Sequence, residues 1–198
     1  MSLEQFLALA AFAFATSITP GPNNLMLLAS GANFGVRRTV PHMAGISLGH
    51  MVMTIAVGAG LMKALQSTPQ AFDVLRWVSV AFILFLAWKI ASAAPAGEAK
   101  SRTRPLTFVQ AAAFQWANPK AWMMSLGAIG AYAPDRTLEA VALVALVFSA
   151  VNLPSVGVWT VLGTQLRRLL NTRTKLRVFN IGSALLLVAS MIPLFSGI

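Results

Sequence analysis

The chain has 198 residues, of which 57% are hydrophobic and 10% charged, against about 25% charged in soluble domains. So little polar cover cannot hide so much apolar surface in water, which implies an integral membrane protein. The net charge of +10 does not point to nucleic acid, because the basic residues lie in short connections and form no basic face with interleaved aromatics.

There is no cysteine, which removes disulfides, thiol redox chemistry and cysteine metal sites. The first Lys or Arg is Arg37. A cleaved leader would need a positive start, so the first apolar stretch is expected to stay as a membrane span.

Six apolar segments follow in chain order, at 5–36, 40–62, 72–92, 106–133, 138–163 and 178–197. The fold class expected is an all-α polytopic membrane protein with six transmembrane helices. The third connection, 93–105, alone has the Ala, Gly, Pro and charge content of a linker. It divides one membrane domain, 1–198, into a first three-helix repeat at 1–92 and a second at 106–198.

The odd-numbered connections carry eleven basic residues: Arg37, Arg38, Lys89, Lys100, Arg102, Arg104, Arg167, Arg168, Arg173, Lys175 and Arg177. The even-numbered ones carry three, Lys63, Arg76 and Arg136. Positive charge stays on the cytoplasmic side, so both termini are expected on the outer, periplasmic side. Anionic lipid headgroups are the expected partners of this charge.

The first and fourth segments are longer than the roughly 20 residues a span needs. Each holds helix breakers at its centre: Pro20-Gly21-Pro22 in the first, Asn118-Pro119-Lys120 in the fourth. Each opens a half of three spans, so the halves enter the membrane from opposite sides, as in an inverted repeat. Paired broken helices in such proteins meet near the midplane and form the substrate site.

The half-helix beginning at Pro22 points its positive end at the gap, with Thr19 or Asn23 as candidate caps. That end receives an anion such as a carboxylate. Lys120 is the one charged residue near mid-span, where a lysine costs about 2.5–3.5 kcal/mol. It is expected to meet a substrate carboxylate, while Asn23, Asn24, Asn118 and freed carbonyls meet an ammonium. Trp116, Phe114 and Met123 are candidates for the pocket wall.

His50, deeper in its span, is a candidate for proton coupling; a core histidine bonded to a carbonyl is the plainer reading. His42 is expected at the interface. Gly45 and Gly49 form a small-residue face for close helix packing, through which a homodimer could also form. Asn152-Leu153-Pro154 is expected to break or kink the fifth span.

The motifs "FATSITPGPNN", "AGISLGH", "LAWKI" and "NPKAW" resemble those of the LysE/RhtB family of bacterial amino-acid exporters, over essentially the whole chain. Within it, "TPGPNN", "AGISLG" and "LAWKIA" look most like the branch exporting cysteine and O-acetylserine. The resemblance implies efflux across the bacterial inner membrane, driven by a proton or ion gradient. Carried over by motif, the functional positions are Thr19, Pro20, Gly21, Pro22 and Asn23, then Asn118, Pro119 and Lys120.

No cofactor and no metal site is expected, and no enzymatic constellation is visible. An exporter of another small metabolite is one alternative, and a metal-cation exporter is the other. It would need hard oxygen or imidazole ligands in the bundle, and the central charge here is positive.

Overall fold

The computed structural model describes residues 1–61, 67, 69–93 and 104–190. Within them lie eight α-helices: α1 (Leu3–Ile18), α2 (Pro22–Phe34), α3 (Val36–Ala56), α4 (Pro69–Ala91), α5 (Phe108–Ala117), α6 (Pro119–Tyr132), α7 (Leu138–Leu166) and α8 (Arg173–Ala189). A π-helical turn, Val57–Leu61, extends α3. Among the described residues there is no strand. Most of the expected linker, 94–103, and the end of the sixth segment, 191–198, lie outside them.

The helix starts and stops follow from local chemistry. Both halves open on the same device, a capping box: Ser2 with Gln5 begins α1 and Thr107 with Gln110 begins α5. In each box the hydroxyl accepts an orphan backbone N–H while the glutamine side chain accepts from the cap's own N–H. Both helices then stop just before a proline, which drives the preceding residue out of the α region. Thr19 (φ −64°, ψ 143°) and Asn118 (φ −97°, ψ 107°) are accordingly extended. Pro22 and Pro119 then stand at the first turn of α2 and α6, where the missing N–H costs nothing.

The first break turns the chain by 60° between α1 and α2. Among the described residues, Val36–Leu61 and Leu138–Leu166 are each long and apolar enough to cross a membrane; the bent pair α1–α2 counts as a third such span. The outer surface bears large apolar side chains, including Leu3, Leu7, Val52, Trp77, Trp88 and Leu185. In water such a surface would be a liability; a bilayer is the solvent it fits.

The long helix α7 packs against α1, α2 and α3, α3 packs also on α5, and α4 pairs with α8. Glycines set the closest approaches. A methyl group at Gly49 would lie 2.5 Å from the Ala112 Cα, and one at Gly45 would strike the Phe108 carbonyl. The small-residue face of α3 is therefore spent on α5 within the chain. Gly31 and Gly163 do the same where α2 crosses α7, against the Thr160 and Leu28 carbonyls.

One expectation changes. Pro154 does not break the fifth span: α7 runs unbroken from Leu138 to Leu166 with the proline inside it. A proline removes only its own N–H bond, and neighbouring helices make that tolerable in membrane proteins. His42 is packed inside the helices, with 1% of its surface exposed.

The core divides into two apolar clusters. One holds Met26, Leu27, Ile46, Phe114 and Val156; the other holds Leu9, Ala13, Met53, Ala121 and Phe148. On α7 the boundary between them passes Asn152, and on the broken pairs it passes Ser17, Asn24, Gln115 and Asn118. These polar residues, all buried, form a layer between the clusters at the level of both breaks.

Candidate functional site

That layer contains a tight cleft with a cavity volume of about 20 Å³, lined by Thr16, Ser17, Gly21, Asn23, Asn24, Asn118, Lys120, Met124, Asn152 and Val156. That is room for about one water molecule, so a larger ligand requires the lining side chains to move. Of the positions expected from sequence, Gly21, Asn23, Asn24, Asn118 and Lys120 reach it. Thr19 and Pro20 act beside it, through Lys120. Pro22 and Pro119 shape the helix starts.

The C-terminal carbonyls of α1 need partners, because a helix leaves its last four unpaired. Asn24 Nδ2 donates to the Ser17 carbonyl at 2.8 Å and to that of Thr19 at 2.7 Å. Trp159 Nε1 donates to the Ile18 carbonyl at 3.0 Å. Lys120 Nζ donates to the Thr19 carbonyl at 2.7 Å, to Thr19 Oγ1 at 2.9 Å and to the Pro20 carbonyl at 3.4 Å. The ammonium thus sits on the negative end of α1, where a cation is favoured. The lysine stem passes over Gly21, where an added methyl group would lie 2.8 Å from Lys120 Cδ.

The two helix starts at the breaks are capped differently. Asn118 Oδ1 accepts from the Lys120 backbone N–H at 3.2 Å. Gly21, the residue before α2, has no side chain to cap with, and α2 begins without a side-chain cap. Thr19 and Asn23 were the expected caps. Thr19 Oγ1 instead donates to the Thr16 carbonyl at 2.9 Å. The positive end of α2 therefore opens beside the Lys120 ammonium, and together they make the cleft receptive to an anion.

Amide side chains knit the halves together around the cleft. Asn23 and Gln115 bond reciprocally, Nδ2 to Oε1 at 2.9 Å and Nε2 to Oδ1 at 3.2 Å. Asn152 Nδ2 donates to Ser17 Oγ at 3.0 Å, and its Oδ1 accepts from Ser47 Oγ at 2.8 Å. Gln115, Trp159 and Ser17 were missed by sequence reasoning. The signal for Gln115 was a lone amide inside an apolar run, three residues before a break.

The expected pocket wall is corrected. Phe114 is buried against Phe82, with ring centroids 6.0 Å apart, and Met123 is exposed. Trp116 and Trp122 meet edge to face at 6.2 Å, and Trp122 Nε1 donates to the Trp116 carbonyl at 2.9 Å. They brace the second break rather than line the cleft. Thr16, Met124 and Val156 supply its wall instead.

His50 is buried but does not line the cleft. Its Nε2 lies 3.2 Å from Ser125 Oγ, which is 2.8 Å from Thr54 Oγ1, and its ring packs on Phe148 at 4.8 Å. Nδ1 has no hydrogen-bond partner. Among the described residues no group of three or more His, Asp or Glu is gathered as a metal site would require.

The sequence pattern described as LysE type translocator matches residues 14–194. The cysteine/O-acetylserine efflux protein of Escherichia coli O1:K1 is 33% identical over 183 residues, covering 91% of this chain and 92% of that protein. The protein of the same description from Escherichia coli K12 is 32% identical with the same coverage. That from Salmonella paratyphi A is 31% identical over 182 residues, again 91% and 92%. No solved structure matches the chain at a significant level.

Proposed function

The chain belongs to the LysE type translocator family, and from that premise we propose that it exports small amino acids or their derivatives from the cytoplasm. It is a membrane transport protein and not an enzyme. Relatives described as cysteine/O-acetylserine efflux proteins make cysteine and O-acetylserine the first cargo to test.

The observation that carries the reading is the polar cleft between the two broken helices, with Lys120 bridging them. In the proposed complex the cargo's carboxylate lies between the Lys120 ammonium and the uncapped start of α2. Its ammonium is received by the side-chain oxygens of Asn24 and Asn118. Thr19, Pro20 and Gly21 hold Lys120 in place, while Asn23 and the first-turn prolines Pro22 and Pro119 fix the helix ends.

The six-span architecture belongs to the same proposal, as two inverted repeats (1–92 and 106–198) joined by a cytoplasmic linker, with both termini outside the bacterial inner membrane. Two features support it: the capping boxes that open α1 and α5, and the matching packing of α3 on α5 and of α7 on α1. The driving force proposed is a proton gradient, with His50 as the group that loads and unloads the proton. Its unpartnered Nδ1 and its link through Ser125 to the helix that carries Lys120 support that role.

Cells with and without the protein are loaded with cysteine- and serine-containing dipeptides, and O-acetylserine is supplied in parallel. The medium is then followed by mass spectrometry. A rise in one or a few amino acids that depends on the protein supports the proposal. No rise with well-inserted protein would discard amino-acid export.

A further inference from the structure

Ten residues along α2 from Asn23, about 15 Å at the helical rise, a second cavity opens toward the connections rich in arginine. Its cavity volume is about 40 Å³, and Ser30, Asn33, His42, Lys89 and Arg104 are its polar lining, with Met26, Leu86 and Ile90 among the apolar part. Among the described residues no acidic side chain lines it. The break-site reading makes no use of it.

His42 is the observation that asks for a ligand. The ring is 1% exposed, and neither nitrogen has a hydrogen-bond partner. A buried polar group without a partner is costly and rare, so a ring left this way on the wall of a cavity points to a partner that enters from outside the chain. The other polar neighbours are already engaged. Asn33 and Asn180 bond reciprocally at 2.7 and 3.1 Å, and Ser30 Oγ lies 2.9 Å from Thr39 Oγ1.

The remaining groups fix the chemistry. Lys89 Nζ holds one long contact, 3.3 Å to Gln110 Oε1, and an ammonium carries three donors. Arg104 adds a guanidinium, and an imidazole in either tautomer presents one N–H. Two cations and an N–H around a space with no acid among its described lining repel cations and receive acceptor oxygens. We infer that the cavity walled by His42, Lys89 and Arg104 is a second binding site, for an anionic oxygen group. The group is the carboxylate of a small acid or the phosphate of a lipid headgroup.

The chain has two histidines, which makes the test direct. The full-length protein, labelled with carbon-13 histidine, is placed in phosphatidylcholine nanodiscs, and the His42 signal is assigned with His42→Gln. Sodium acetate is titrated in, and a parallel sample uses nanodiscs containing phosphatidylglycerol without acetate. A saturable shift of the His42 signal with acetate assigns the site to small acids. A shift with phosphatidylglycerol alone assigns it to lipid phosphate.

In either case the His50 signal stays in place and reports an intact fold. Lys89→Met weakens the effective probe about tenfold, the loss of one charge-assisted hydrogen bond. Arg104→Gln, on an exposed side chain, repeats the test without risk to the core. A His42 signal that moves with neither probe, or a shift with unchanged affinity in both variants, would overturn the inference. Lys120→Ala leaves the His42 shift intact, so failure of the break-site reading is read separately.

Discussion

Lys120 Nζ lies 2.7 Å from the Thr19 carbonyl oxygen, across 101 residues of chain. The contact joins the second break to the first, and it places a cation on the end of a helix whose carbonyls would otherwise face a polar gap. Removing the ammonium leaves those carbonyls to water or to cargo.

Gly21 makes room for that contact. In Gly21→Ala the new methyl group meets the lysine stem at 2.8 Å, and a flexible stem moves aside more cheaply than backbone. Thermal stability should therefore stay within about 1 kcal/mol of wild type, while efflux falls about tenfold or more as Lys120 leaves its seat. Melting curves and efflux rates measured on the same preparations check both halves of this expectation.

The reciprocal amide pair Asn23–Gln115 holds the two broken helices together. Gln115→Leu should destabilise by about 0.5–1.5 kcal/mol, because the partly buried Asn23 amide loses its partner. The double variant Asn23→Leu/Gln115→Leu should cost less than the sum of the singles, with a coupling of about 0.5–3 kcal/mol. Unfolding in mixed detergent, run as a double-mutant cycle, reads the difference. Strict additivity would show that the pair is not coupled.

Gly163 is a packing requirement rather than a hinge. A methyl group there would strike the Leu28 carbonyl of α2, and backbone cannot rotate away. Gly163→Ala should cost about 1–3 kcal/mol and lower the yield of folded protein, read by size-exclusion chromatography after extraction.

His50 separates the proposed proton coupling from simple facilitated export. With His50 carrying the proton, wild-type efflux should vary with pH. In His50→Gln that dependence should flatten while binding at the break persists. A pH profile identical to wild type would remove His50 from the coupling and leave it as a core residue.

Much of this organisation is legible in the chain alone, for local reasons. Pro20, Pro22 and Pro119 act on their own and neighbouring residues, so the positions of both breaks follow from sequence. Gly45 and Gly49 lie on one helix face, and their spacing announces a close crossing. What is not legible depends on partners distant in the chain. Nothing near Gln115 identifies Asn23 as its mate, and nothing near Trp159 shows that it caps α1. That His42 is walled in by α2 and α4 depends likewise on elements remote in sequence. Pro154 misleads, because tertiary packing carries α7 through it.

The most direct measurement of the central claim is efflux of labelled O-acetylserine from vesicles containing wild-type or Lys120→Met protein at equal amounts and equal melting temperatures. If the cargo's carboxylate is held by Lys120 at the break, the variant should lose about 10–100-fold in efflux, the loss of a charge-assisted hydrogen bond of about 1.5–3 kcal/mol. Efflux at the wild-type rate from the variant would contradict the account, and the site of transport would have to lie elsewhere.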